Sequence, residues 1–198
     1  QPGPPKLRSA LHPTGLPHLS QKHHDQTYMG TLLLQHTLIL FTHLLARGGI
    51  GLIEHPAPPL WHPQSTQLCS IWKLPQIRIL NTLPPIRQQT FKQSIHGQIS
   101  SKPTPFLTCR LDKDIILKSL YHRQRTCHNP DDAQDSTHFH IGMAHNNKSF
   151  NTAQLKEYPP SLNKAIALMF LQQIYRFREH PIAPQDSTHF HIGMAHNN

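Results

Sequence analysis

The chain has 198 residues, with 19 Lys and Arg against 10 Asp and Glu, together with 18 His and 19 Pro. This length predicts one domain of ordinary size with a tail and does not favour a second full domain. The hydrophobic content of 36% is low for a globular protein, so part of the chain is expected to be loop. The net charge of +9 favours an anionic partner such as DNA, although no block of Lys and Arg marks a footprint.

The cysteines and the first residues bear on the cellular compartment. Cys69, Cys109 and Cys127 are odd in number and lack CxxC spacing, which argues against a disulfide framework and a cysteine zinc site. A reducing compartment, nuclear or cytoplasmic, is therefore expected. Residues 1–8 have no apolar core and no initiator Met, which predicts no signal peptide and a chain cut from a longer one.

The first part of the chain divides into a lead-in and a long apolar segment. Residues 1–25 are rich in Pro and His and predict an extended lead-in. Gln26–Ala46 is uncharged and apolar on most helical faces, which predicts a helix buried against a sheet. A membrane span is the rival interpretation, but Gln35, His36 and His43 interrupt the apolar run. The sequence therefore predicts no membrane partner.

A short strand with polar residues after it follows this helix. Gly48-Gly49 ends the helix, and Ile50–Ile53 has the composition of a buried strand. Ligands of open α/β sheets bind at the carboxyl ends of strands, so Glu54 is a candidate site residue. The structural alternative is that Glu54 caps the next turn and that His55-Pro56 only begins a loop.

The remaining elements complete an α/β pattern. Two strands joined by a polar loop that contains Gly97 predict a hairpin. The predicted elements are a helix Ile71–Asn81 capped by Ser70, strands Ile86–Gln93 and Phe106–Cys109, and helices Asp112–Tyr121 and Leu162–Arg178. The sequence thus predicts an α/β domain over residues 26–179 and a tail over residues 180–198.

An identical repeat of fourteen residues carries a possible metal motif. Gln134–Asn147 recurs unchanged as Gln185–Asn198. The two copies are not tandem, so the repeat does not predict a repeated structural unit. His138, His140 and His145 have a spacing that zinc, copper or nickel could use. With 18 histidines such pairs also arise by chance, which is the favoured interpretation.

The order of these motifs resembles the second half of a cytosine-5 DNA methyltransferase-like Rossmann domain. The elements that carry the resemblance are the strand ending in Glu54-His55-Pro56, the Gly97 loop with Lys102-Pro103-Thr104, and the Tyr158-Pro159-Pro160 helix start. It is most similar to the divergent domains found in protist mobile elements.

The resemblance implies a base-flipping enzyme that uses S-adenosylmethionine. By this resemblance Glu54 would protonate the flipped cytosine, and Lys102 would hold the ring carbonyl or a phosphate. The two side chains are then expected within about 10 Å of each other at one end of a shared sheet. The implied substrate-binding residues are His55, Pro56, His96, Gly97 and Thr104.

The chain also departs from that family. Residues 1–53 contain no cysteine and no glycine-rich cofactor loop, so the Pro-Cys nucleophile and its covalent intermediate are absent. The sequence therefore predicts a fragment or degenerate relative that is inactive alone. Two alternatives stay open, a noncatalytic basic protein that binds nucleic acid or metal, and an open reading frame under little selection.

Overall fold

A computed structural model describes residues 6–58, 68–98, 103–121 and 158–180 of the chain. These residues form four helices and a three-stranded sheet, which makes the fold mixed α/β. In chain order the elements are α1 (Gln21–Ala46), β1 (Gly51–Glu54), a 3₁₀ turn (Ile71–Lys73), α2 (Pro75–Leu80), β2 (Ile86–Lys92), a second 3₁₀ turn (Gln93–His96), β3 (Pro103–Cys109), α3 (Lys113–Tyr121) and α4 (Pro160–Glu179).

The sheet has the order β1-β3-β2, and β3 runs antiparallel to both of its neighbours. The register places Glu54 opposite Phe106 and Lys92 opposite Pro103. The predicted pairing of the second and third strands is therefore confirmed. Since β1 and β2 both oppose β3, they are parallel to each other, and both end where β3 begins. This is a split β-α-β arrangement.

Helices cover both faces of the sheet. Successive side chains of a strand point to opposite faces, so Ile53 and Leu107 face one side while Phe91 and Phe106 face the other. The first set packs with Phe41 of α1 and with the buried residues of α2. The second set packs against α3 and α4. The core is thus two apolar layers separated by β3.

Proline moves two element boundaries away from the sequence prediction. The predicted helix Ile71–Asn81 is split, because Leu74 precedes Pro75 and adopts an extended conformation with ψ of 140°. Pro75 then opens α2. The third strand begins at Pro103 rather than at Phe106. Pro105 lacks an N–H donor, and the pairing with β1 ends beside it, at Phe106.

The prediction that the first helix is buried is wrong. α1 begins at Gln21 and has only two buried residues, Thr27 and Phe41. Its exposed large apolar residues are Tyr28, Met29, Leu33, Ile39 and Leu40. By length and composition α1 could cross a membrane, a test that the core helices of soluble proteins and signal sequences also pass.

Candidate functional site

Four segments meet at the end of the sheet where β1 and β2 finish. They are the end of β1 at Glu54, the turn after β2, the start of β3 at Thr104, and the N-terminal end of α4. The Oγ atom of Ser161 donates a hydrogen bond to the carbonyl oxygen of His96, with 2.5 Å between the oxygen atoms. This bond fixes the beginning of α4 over the turn that follows β2.

Glu54 lies on the face of the sheet that α4 covers. The hydroxyl of Tyr158 donates a hydrogen bond to the Glu54 carboxylate. Burial of Tyr158, and then this contact with Glu54, raises the pKa of the Tyr158 hydroxyl. Among the described residues, the buried Oε1 atom of Glu54 finds no hydrogen-bond partner. A carboxylate with one unused acceptor, held beside a neutral phenol, can accept a further donor.

A buried polar pair lies on the same face beside the aromatic core. The Nε2 atom of Gln93 donates to the Oγ1 atom of Thr104 at 2.9 Å, and both residues are almost fully buried. Phe91 contacts the ring of His96 edge to face, with 5.7 Å between centroids, and contacts Phe106 at 4.8 Å. These contacts order the turn after β2, so His96 is held by packing.

The His55 side chain turns away from Glu54. Strand alternation continues past Glu54 and directs His55 toward the opposite face. There the His55 ring lies edge to face against Trp72, with 6.4 Å between centroids, and the Nε1 atom of Trp72 donates to the Pro56 carbonyl at 3.0 Å. The structure thus places Glu54 and Thr104 on one face of the sheet, where His96 packs against Phe91, whereas the His55 ring lies on the other face against Trp72.

The other predicted site residues divide into one turn residue and several that lie outside the described ranges. Gly97 adopts a left-handed conformation with φ of 87° and ends the 3₁₀ turn. Its role here is conformational, because few residues other than glycine adopt that backbone geometry. Lys102 and the three histidines of the metal motif, His138, His140 and His145, lie outside the described residues. The predicted distance between Lys102 and Glu54 therefore stays a prediction.

No metal cluster accompanies Glu54 in the described parts of the chain. No group of three His, Cys, Asp or Glu side chains within those parts could hold a metal ion. Two cavities are present elsewhere, one of about 460 Å³ between α3 and α4 and one of about 210 Å³ beside the start of α1. Glu54 lines neither of them.

Sequence reasoning missed two contributors to this arrangement. Tyr158 was part of the resemblance but had no assigned role, since about one hundred residues separate it from Glu54. Gln93 did carry a local signal. It lies two positions after the apolar Phe91, where strand alternation predicts an inward side chain, and a polar residue at such a position needs a partner.

A basic surface lies around β2. No Asp or Glu occurs between Glu54 and Asp112. The exposed side chains of Arg78 on α2 and of Arg87 and Lys92 on β2 lie in this acid-free segment. β2 is an edge strand, and five positions separate its two cations, so they point to opposite faces. We call Arg78, Arg87 and Lys92 the basic edge.

The comparisons with known proteins add no relative. No protein-family model, no curated protein and no solved structure matches the chain.

Proposed function

We propose that the chain binds DNA without sequence preference, through phosphate contacts made by the basic edge. The observation that carries the proposal is the absence of Asp and Glu between Glu54 and Asp112, where exposed cations flank an edge strand. A cation without a neighbouring carboxylate keeps its attraction for a phosphate. Neutralising phosphates releases counterions, and this release is the main source of nonspecific affinity for DNA.

The polar residues of β2 suit this role. Gln88, Gln89 and Thr90 are among the four residues between the two cations, and Gln88 and Thr90 share a face with Lys92. Side-chain amides and hydroxyls donate to phosphate oxygens and carry no sequence information in doing so. An edge strand with charged residues is also protected from pairing with another sheet, which leaves this surface open to a different partner.

The test is the salt dependence of binding to a fluorescent DNA duplex, measured by anisotropy. Replacing Arg87 and Lys92 by Ala should lower the slope of log K against log salt by about 1.8, because each lost phosphate contact contributes about 0.9. The matched control replaces Lys164 and Arg178 of α4, which are also exposed and remove the same charge. Equal losses in the two double variants, or no binding by the unaltered chain, would refute the basic edge as the site.

A second candidate function is the methyltransferase-type pocket implied by the resemblance, including its partial Rossmann-like sheet. Its support is the position of Glu54 at the carboxyl end of β1, at the same edge of the sheet as the carboxyl end of the parallel strand β2. The antiparallel β3 between them departs from the mostly parallel sheet of that family. Because no cysteine precedes Glu54, the proposal is limited to binding and includes no covalent step.

Thermal melting with S-adenosylhomocysteine tests this second candidate. A pocket should show a melting temperature that rises with ligand concentration, since a ligand that binds only the folded state stabilises it. Glu54→Gln should reduce the rise, whereas Glu179→Gln, which changes an exposed carboxylate at the far end of α4, should not. No rise at any concentration removes the candidate, and the DNA proposal is unaffected by that result.

A further inference from the structure

The outward face of α1 carries five large apolar side chains that are exposed, and one of them, Tyr28, also lines the cavity beside the start of the helix. Tyr28, Met29, Leu33, Ile39 and Leu40 are between 52% and 70% exposed. Their spacing places them on one side of the helix, opposite Thr27 and Phe41, which face the rest of the protein. Exposed His36 and His43 lie on the same side of the helix, among these apolar residues. A cluster of exposed large apolar side chains of this kind marks an interaction site. We call these five residues the outer stripe.

Positive charge brackets the outer stripe. Lys22 lies two helical turns before Met29 on the same face, and Arg47 follows the last residue of the helix. No charged residue lies between Asp25 and Arg47. Asp25, the one acidic residue of α1, accepts a hydrogen bond from the Nε2 atom of Gln21 at 2.8 Å. An apolar band with a cation at either end is complementary to a surface that is apolar inside and anionic outside.

Threonines on α1 satisfy their own hydroxyl groups. Thr31, Thr37 and Thr42 each donate to the carbonyl oxygen four residues earlier, at 2.8 Å. This backbone bond removes the need for water at the hydroxyl. The polar side chains within the uncharged part of the helix thereby become less costly to place near lipid.

The packing of α1 argues against a transmembrane arrangement in the folded protein. Phe41 is 5% exposed and lies in the core on the sheet, with Leu38, Leu44 and Leu45 packed against the same cluster. The last third of the helix therefore belongs to the domain. The part that remains, from Tyr28 to Leu40, is about 20 Å long at 1.5 Å per residue and is shorter than the hydrocarbon core of a bilayer.

We propose that the outer stripe of α1 docks on an anionic membrane surface, with Lys22 and Arg47 contacting lipid phosphates. Charge decides between lipid and a second copy of the chain. Pairing two copies of α1 side by side in parallel order sets Lys22 against Lys22 and Arg47 against Arg47, and each copy carries a net charge of +9. An anionic lipid surface instead neutralises both cations and attracts a chain of net charge +9.

The test is sedimentation of the full chain with lipid vesicles, one set of neutral phosphatidylcholine and one with about 30% phosphatidylserine. The matched variants are Ile39→Glu on the outer stripe and Ile79→Glu on α2, because both isoleucines are 64% exposed. Ile39→Glu should weaken binding to anionic vesicles about tenfold or more, since an apolar contact is lost and a like charge is added. Ile79→Glu should bind almost as the unaltered chain does.

Several results would overturn the proposal. Equal weakening in both variants would mean that only net charge matters, and equal binding to neutral and anionic vesicles would remove the role of the cations. An unaltered chain that stays in the supernatant also contradicts it. Sedimentation velocity in the absence of lipid identifies the rival occupant, because a dimer that Ile39→Glu dissociates would assign the stripe to a second copy.

Discussion

Replacing Leu107 by Ala is the most direct test of the sheet order. Leu107 lies in the central strand, is fully buried, and pairs with Ile53 on one side and Gln88 on the other. Leu→Ala changes in protein cores cost about 2–5 kcal/mol, and the cost grows with the cavity that remains. Because both edges of β3 are hydrogen bonded, the backbone cannot move into the cavity. We therefore expect a loss of about 3–4 kcal/mol in the free energy of unfolding.

Circular dichroism during urea and thermal unfolding measures this loss. For a domain of this size the change corresponds to a fall of roughly 10 °C in melting temperature. Leu11→Ala is the matched control, because Leu11 is 87% exposed and the same substitution there should change stability by less than about 0.5 kcal/mol. If the two variants melted alike, β3 would not be the central strand. If the unaltered chain showed no cooperative transition, the open reading frame under little selection would be the better explanation.

Three further predictions concern the candidate site. Thr104→Val should lower the free energy of unfolding in urea by about 1–3 kcal/mol, because the buried Nε2 donor of Gln93 loses its acceptor. Gln93→Leu should lower it by less, because this change also removes the Oε1 atom of Gln93, which finds no partner among the described residues. Burial, and then the contact with Glu54, raises the pKa of Tyr158. The contribution of this group to stability is therefore present below the ordinary tyrosine pKa of about 10 and is lost as pH rises through the higher folded value. Ultraviolet titration should show a late-ionising tyrosine that Tyr158→Phe removes. Gly97→Ala should cost about 1 kcal/mol through its left-handed backbone alone, because no atom lies within 4 Å of an added Cβ, and a larger loss in thermal melting would contradict that assignment.

Local signals predicted most of the elements. The helix after Leu111 and the long helix near the end of the chain lie within about two residues of their predicted bounds, as periodicity and capping allow. The two strands around the Gly97 loop pair as predicted. Two of the boundaries that moved involve proline, at Pro75 and at Pro103, where one residue type can end a helix, begin a helix or begin a strand. The start of α1 also moved, because the helix begins at Gln21, inside the predicted extended lead-in.

The candidate site was only partly predictable, because its parts differ in how local their causes are. Glu54 stands at a strand end, which the run Ile50–Ile53 and the following polar residues already indicate. His55 could have been assigned to the opposite face by alternation alone. The position of Tyr158 beside Glu54 could not have been predicted in this way, since it depends on how α4 packs on the sheet and on the hydrogen bond from Ser161 to the His96 carbonyl.

The exposure of α1 follows from the length of the helix relative to the size of the sheet. The periodicity of apolar residues carries no information about that ratio. A helix of 26 residues is about 39 Å long, whereas strands of seven residues span about 23 Å. Three strands are only about 14 Å wide, and α2 occupies part of the same face. A small sheet of this kind can cover little more than the last third of α1. An apolar pattern therefore predicts what a helix can bury, and the area offered by the rest of the chain decides how much of it is buried. In this protein the remainder is the outer stripe, whose occupant the vesicle experiment identifies.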